Sequence, residues 1–182
     1  LDINLDLDYI TKLVLKKQDE TVKVEPVWPD IWIANRDGFV KGKTGEHRSA
    51  FDDPYMTSIY QKYPLLSPVY NIYPLPANMG LPLHIDTDRS CAFNIPIQGT
   101  EGTDTIFYET VGPLVTVYDT KRIYDLVKSP IIEKFRHTLI RPLLINNSKP
   151  HKVTNNKDTM RITLSWSLTK GITFEQAIEY FK

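Results

Sequence analysis

Nine residues near the C-terminal end constrain the fold more than any other stretch. Met160, Ile162, Leu164, Trp166 and Leu168 are apolar, while Arg161, Thr163, Ser165 and Ser167 between them are polar. Side chains alternate across a β-strand with a period of two, so the segment reads as a strand with one apolar packing face and one polar face. Arg161 opens the polar face. A guanidinium that points into a closed sheet needs a partner, because an unpaired buried charge is costly. A bound carboxylate would supply one through the two-pronged hydrogen bonding that arginine offers.

Further short strands are expected at Ile31–Ala34, Val69–Tyr73, around His84, at Ser90–Ile97, Asp104–Glu109, Leu114–Tyr118 and Leu143–Ile145. Leu1–Asp8 alternates apolar and acidic residues and reads as an edge strand, with Ile10–Lys17 equally compatible with a short helix; Thr21–Val27 alternates again. Lys41–Pro54 has the polar, glycine-bearing look of a surface loop, Tyr55–Tyr63 that of a short helix stopped by Pro64. Asp119–Arg136 is expected to be helical or irregular, interrupted by Pro130. Thr173–Phe181 has the spacing of a terminal helix, with Thr173 as N-cap and Gln176 in the capping-box position. Many short strands, few helices and frequent Pro and Gly predict a mainly β sandwich or barrel, specifically a jelly roll, which brings strands distant in sequence around one mouth.

The 182 residues suffice for one domain, spanning residues 1–182. The expected core is about 69–168, with an N-terminal extension over 1–68 and a C-terminal helix over 173–181. Formal net charge is zero, so no attraction to nucleic acid or anionic membrane is indicated, and no apolar run reaches the roughly 18 residues of a membrane span. The lone Cys91 and the lack of a signal-peptide pattern after Leu1 favour a reducing, cytoplasmic location.

His84 and Asp86 lie two apart on an expected strand and so project from one face. With a third donor they would form the 2-His-1-carboxylate face of an octahedron, leaving three positions open, as in non-haem iron(II) oxygenases. His151, behind the polar turn Asn146–Pro150, is the candidate for that donor. The bland reading is a hydrogen-bonded His–Asp pair on a strand.

The order His84, Asp86, a long gap, His151, then Arg161 ten residues on resembles the iron(II)- and 2-oxoglutarate-dependent oxygenases with a double-stranded β-helix core. The phrases His-Ile-Asp-Thr-Asp-Arg-Ser-Cys-Ala-Phe-Asn-Ile-Pro-Ile and Lys-Pro-His-Lys-Val are similar to the ligand segments of prolyl-hydroxylase-like members. The resemblance covers about residues 69–168. It implies that His84, Asp86 and His151 hold Fe(II), and that Arg161 binds the distal carboxylate of 2-oxoglutarate with Thr163 assisting. It also implies that Tyr73 touches the cosubstrate, with Tyr70 on the opposite face of its strand, and that Asn94 is a weaker polar contact. The activity so implied is a dioxygenase, a hydroxylase of an amino-acid or protein side chain or of a small metabolite, with ascorbate as a reductant and no acid–base residue beyond the metal ligands. His137 and His47 compete for the distal position, but Arg141 follows His137 by only four residues. Arg89 reads first as a solvated loop cation, Cys91 as a small buried hydrophobe, and Ser165 and Ser167 as pocket lining. The competing function is a non-redox cupin-like jelly roll that binds metal or sugar, which would need no cation at position 161.

Overall fold

The computed structural model describes residues 3–21, 31–35, 38–42, 47–50, 53–87, 89–118 and 124–182. In chain order these form α1 (Leu7–Thr21), β1 (Ile31–Asn35), β2 (Gly38–Gly42), β3 (His47–Ala50), α2 (Pro54–Lys62), β4 (Leu66–Leu75) and β5 (Met79–Asp86). They continue with β6 (Cys91–Gln98), β7 (Asp104–Thr110), β8 (Thr116–Tyr118), β9 (Tyr124–Val127), β10 (Ile131–Thr138), β11 (Leu143–Asn146), β12 (His151–Asn155), β13 (Arg161–Leu168) and α3 (Phe174–Tyr180). Two antiparallel sheets result. One runs β10-β7-β12-β5-β1-β2, with β9 added to β5 and β8 to β9; the other runs β11-β6-β13-β4-β3. This is a mainly β, jelly-roll-like architecture.

β13 sits at the centre of the smaller sheet, between β4 and β6. Its apolar face, Ile162, Leu164, Trp166 and Leu168, packs with Tyr70, Ile72, Phe93 and Ile95 beneath the helices, which contribute Ile10, Val14, Met56, Ile59, Ala177 and Phe181. That layer is the main hydrophobic core, and at roughly 1.5–3 kcal/mol per fully buried large apolar side chain it dominates the folding energy. The opposite face of β13 looks between the sheets, yet Arg161, Thr163 and Ser165 are also buried. The strand is thus buried on both sides, the polar side included.

Local chemistry explains the helices. Asp53 caps α2 by accepting from Met56 N at 3.1 Å, with Pro54 in the first turn, where its missing N–H costs nothing. Thr173 and Gln176 form the expected capping box on α3. Asp6 accepts from the Tyr9 amide at 2.9 Å, starting α1 where an edge strand is expected over Leu1–Asp8. Only Leu7 and Asp8 of that alternation enter the helix, whose buried face is set by Ile10 and Val14, four apart.

Two other expectations are corrected. The Lys41–Pro54 stretch is not only loop, since Lys41 and Gly42 end β2 and His47–Ala50 form β3, paired with β4. The described part of Asp119–Arg136, from Tyr124 on, is not helical: Tyr124–Val127 and Ile131–Arg136 are strand. A register shift between Glu133 and Phe135 breaks the alternation of β10. Ile131 and Phe135, four apart in sequence, satisfy a strand's period as well as a helical one, so this spacing does not tell the two apart. The Thr21–Val27 alternation falls, from Val22 on, outside the described residues.

Candidate metal centre

Three antiparallel neighbours build one side of the site. His151 on β12 is directly opposite both His84 on β5 and Phe107 on β7. Residues facing each other in a ladder share a sheet face, so register alone brings the two histidines together. A bulge helps: Val153 pairs with Leu81, so β5 spends one more residue than β12 between the two contacts. Pro82, which cannot donate a ladder hydrogen bond, sits in that interval, and both Leu81 and His84 face inward.

The ligand atoms of His84, Asp86 and His151 all lie within 4.8 Å of one another. Each imidazole is oriented by a carbonyl two residues earlier. His84 Nδ1 donates to Pro82 O at 2.7 Å, and His151 Nδ1 donates to Lys149 O at 2.8 Å. A carbonyl only accepts, so both rings carry their proton on Nδ1 and present the lone pair of Nε2 to the centre. His84 Nε2 stands 3.4 Å from Asp86 Oδ1, and the two rings are tilted at 50° with centroids 4.3 Å apart. Two imidazole lone pairs and a carboxylate thus converge on one small volume.

Electrostatics keep these donors in ligand form. Burial by itself would raise the Asp86 carboxyl, but the adjacent Arg89 guanidinium, with further help from the two imidazoles, holds it well below the usual carboxylate range. Burial lowers His151 to about 4, with His84 adding repulsion and Asp86 opposing. At neutral pH Asp86 is an anion and His151 a neutral base, the forms a metal requires.

The cavity beside the triad, about 60 Å³, is lined by Tyr73, Leu81, Asn94, Thr105, Ile145, Asn147, Val153, Arg161, Thr163 and Ser165 together with the three ligands and Arg89. Across the smaller sheet, Thr163 stands opposite Tyr73, and Ser165 opposite Asn94. Every sequence candidate on this face therefore reaches the cavity, whereas Tyr70 pairs with Trp166 and faces the helices, as its place in the core cluster shows.

Arg161 is 5 % exposed and its Nε donates to Thr103 Oγ1 at 3.1 Å. Among the described residues no carboxylate pairs with it, and burial alone lowers it to about 10. Thr163 Oγ1, Asn94 Oδ1 and Asn147 Oδ1 are also buried without a hydrogen-bond partner among the described residues. Buried polar groups are ordinarily satisfied, so a cluster of orphans lining the same cavity as Arg161, which no carboxylate pairs among the described residues, is what a polar anionic ligand would complete.

Arg89 corrects its sequence reading. It is not a solvated loop cation: its side chain is 13 % exposed and reaches Asp86, Ser165 and Tyr73. Asn147, which also donates to Asp86 Oδ2, was not singled out by sequence reasoning; the only available signal was its place in the turn before His151. His137 stands on β10 opposite Thr105 and is outside the triad, and for His47 only the backbone pairing with Ile72 is described.

A wider groove of about 670 Å³ opens between β7, β10, β11 and the turn before His151. Ile145 lines both it and the smaller cavity. Phe107, stacked on His151 at 5.6 Å and on Phe135 at 4.8 Å, forms its inner wall. The row Phe135, Phe107, His151, His84 runs from solvent to the triad.

No family model matches the sequence, and no curated protein matches it. Among solved structures, the chain is similar to hydroquinone 1,2-dioxygenase PnpCD in complex with Cd2+ and 4-hydroxybenzonitrile. Identity is 11%, the match covers 84% of this chain and 93% of that one, and the TM-score is 0.36. The fold rests on the strand order and register above rather than on this likeness. No helix among the described residues is long and apolar enough to cross a membrane.

Proposed function

We propose that the protein is an Fe(II)- and 2-oxoglutarate-dependent dioxygenase that hydroxylates an amino-acid or protein side chain or a small metabolite. The observation that carries this reading is the pairing, in one cavity, of a two-histidine, one-carboxylate triad with a buried arginine that no carboxylate pairs among the described residues. The first fits a ferrous ion with positions left open; the second fits a carboxylate placed beyond it.

The residues fit both groups. Nε2 of His84, Nε2 of His151 and Oδ1 of Asp86 would hold the metal. Arg161 would take the distal carboxylate of 2-oxoglutarate, and Thr163 and Asn94 would satisfy their buried polar atoms on the same ligand, with the Tyr73 hydroxyl close by. Bound together, ferrous iron and 2-oxoglutarate would supply, with dioxygen as the oxidant, oxidative decarboxylation of the keto acid to succinate and carbon dioxide, one oxygen atom entering succinate and the other the hydroxylated C–H bond, with ascorbate as a reductant that keeps the iron ferrous. The chain's part is to orient, to exclude water and to hold charge. Leu81, Ile145 and Val153 give the cavity apolar walls, which strengthens every charge interaction inside it. No side chain is needed as general acid or base. The substrate would lie in the groove over Phe107 and Phe135, which Ile145 lines together with the cavity of the triad.

The test is equilibrium binding of 2-oxoglutarate to Mn(II)-loaded protein, followed by succinate formation with Fe(II), ascorbate and candidate substrates. Saturable binding and uncoupled succinate release are expected. Metal binding without any 2-oxoglutarate affinity would overturn the cosubstrate and leave a non-redox metal-binding jelly roll.

A further inference from the structure

Asp86 carries two oxygens, and the structure treats them differently. Oδ1 faces His84 Nε2, while Oδ2 accepts from Arg89 Nε at 2.8 Å and from Asn147 Nδ2. Arg89 does not stop there. Its two terminal nitrogens donate to Ser165 Oγ at 2.9 Å and to Tyr73 Oη at 3.1 Å, and its guanidinium lies 5.6 Å from the Tyr73 ring centre. Asp86 ends β5 in the larger sheet, whereas Tyr73 and Ser165 lie on β4 and β13 of the smaller one. A single planar cation therefore spans the mouth between the sheets and is fixed at three points.

We propose that Arg89 is a positioning residue that locks Asp86 into presenting one oxygen to the metal. The inference rests on the functional reading above and adds a role which that reading does not require. With Oδ2 held by two donors, the carboxylate cannot turn to bring both oxygens onto one ion. Holding Asp86 to one donor oxygen would leave room at the metal for the keto acid and dioxygen. The fork geometry is essential: guanidinium nitrogens at fixed angles reach three oxygens at once, which an ammonium on a flexible stem does not. Partners that orient a ligand typically alter metal affinity by about 10–100-fold when removed.

The arrangement makes charge and geometry separable. Arg89→Met deletes a positive charge beside the site, so if charge alone mattered, a dication would bind more tightly. If positioning matters, binding weakens. The experiment measures Mn(II) affinity by calorimetry on the whole chain, then 2-oxoglutarate affinity at saturating Mn(II). Arg89→Met is expected to weaken Mn(II) binding at least tenfold, and Arg89→Lys, which keeps the charge, to fail to restore it. Because Arg89→Met removes a link between the sheets, the milder double variant Tyr73→Phe with Ser165→Ala is run beside it; freeing the far end of Arg89 is expected to weaken Mn(II) binding severalfold with the cooperative melt retained. Mn(II) affinity unchanged or tighter in Arg89→Met, or full rescue by Arg89→Lys, would overturn the positioning role while leaving the functional reading standing. Failure of the unmodified protein to bind Mn(II) would bring down both.

Discussion

Arg161→Met separates stability from ligand binding at one residue. Burial lowers the Arg161 guanidinium to about 10. At about 1.4 kcal/mol for each tenfold change in proton affinity, that lowering corresponds to roughly 3 kcal/mol. The sign follows from linkage: a basic group lowered in the folded state costs stability at every pH below its folded value, and the penalty fades only as pH rises towards that of the unfolded chain. At neutral pH the ligand-free protein therefore bears the whole cost. Arg161 is 5 % exposed, so solvent does not discount it. Methionine keeps the apolar stem and removes the charge, but it forfeits the hydrogen bond to Thr103, worth about 1 kcal/mol. The net expectation is a ligand-free protein stabilised by about 1–2 kcal/mol, a rise of several degrees in Tm at roughly 2–4 °C per kcal/mol for a chain of this size. Affinity for 2-oxoglutarate moves the other way. Truncating one partner of a buried charge pair costs about 2–5 kcal/mol, or roughly 30-fold to several-thousand-fold in Kd. Scanning calorimetry without ligand and titration of 2-oxoglutarate into the Mn(II) form read the two effects. A variant that melts lower and binds the cosubstrate unchanged would refute the reasoning, because Arg161 would then be a structural strut.

Three further outcomes are expected. His84→Ala and Asp86→Ala should each abolish Fe(II)-dependent succinate formation and weaken Mn(II) binding at least a hundredfold while far-ultraviolet circular dichroism stays near the parent's; retained tight binding would show that the triad is not the metal site. Gly99→Ala should destabilise the fold by more than about 2 kcal/mol in urea, since Gly99 has φ +62° and a Cβ there would meet Met160 O at 2.3 Å; a neutral substitution would mean that the turn before β13 can move. Burial, with Glu175 adding to it, raises the Cys91 thiol to about 11, and a raised thiol contributes stability that is present at neutral pH and lost as pH rises through that value. Cys91 should therefore resist alkylation at pH 8 until the chain unfolds, and rapid labelling of the native protein would contradict its burial.

Where the sequence was legible, a short-range rule applied. The alternation of Met160–Leu168 located β13 to within a residue and assigned both of its faces, and the same parity argument separated Tyr73 from Tyr70. The His84–Asp86 pair needed only the period of a strand. What could not be read depended on interruptions to the period. The four-residue spacing of Ile131 and Phe135 fits helix and strand alike, and bulges in β10 and in β5 between Leu81 and His84 break the parity of those strands. Arg89 was misread because a loop residue acquires its partners from strands 16 and 76 positions away, a fact no local pattern encodes.

That last point bears on why the cavity is built as it is. The smaller sheet contributes Arg161, Thr163, Ser165, Tyr73 and Asn94, and the larger one contributes the triad. Anchor and metal ligands thus belong to different sheets, and their spacing depends on how the two sheets are held at the mouth. Arg161 is itself placed by the turn before β13, where Asn155 Nδ2 donates to Leu75 O, Pro76 O and Thr159 O at 2.9–3.0 Å and ties the end of β12 to the end of β4. Asn155 is fully buried, so these bonds form away from water, where leaving even one unmade costs about 1–3 kcal/mol. Asn155 at the closed end and Arg89 at the mouth fix the separation of the sheets from both sides. Under the proposed function a flexible five-carbon keto acid would have to meet the triad and Arg161 together, and a distance set before it arrives would spare the cost of ordering the two sheets on binding.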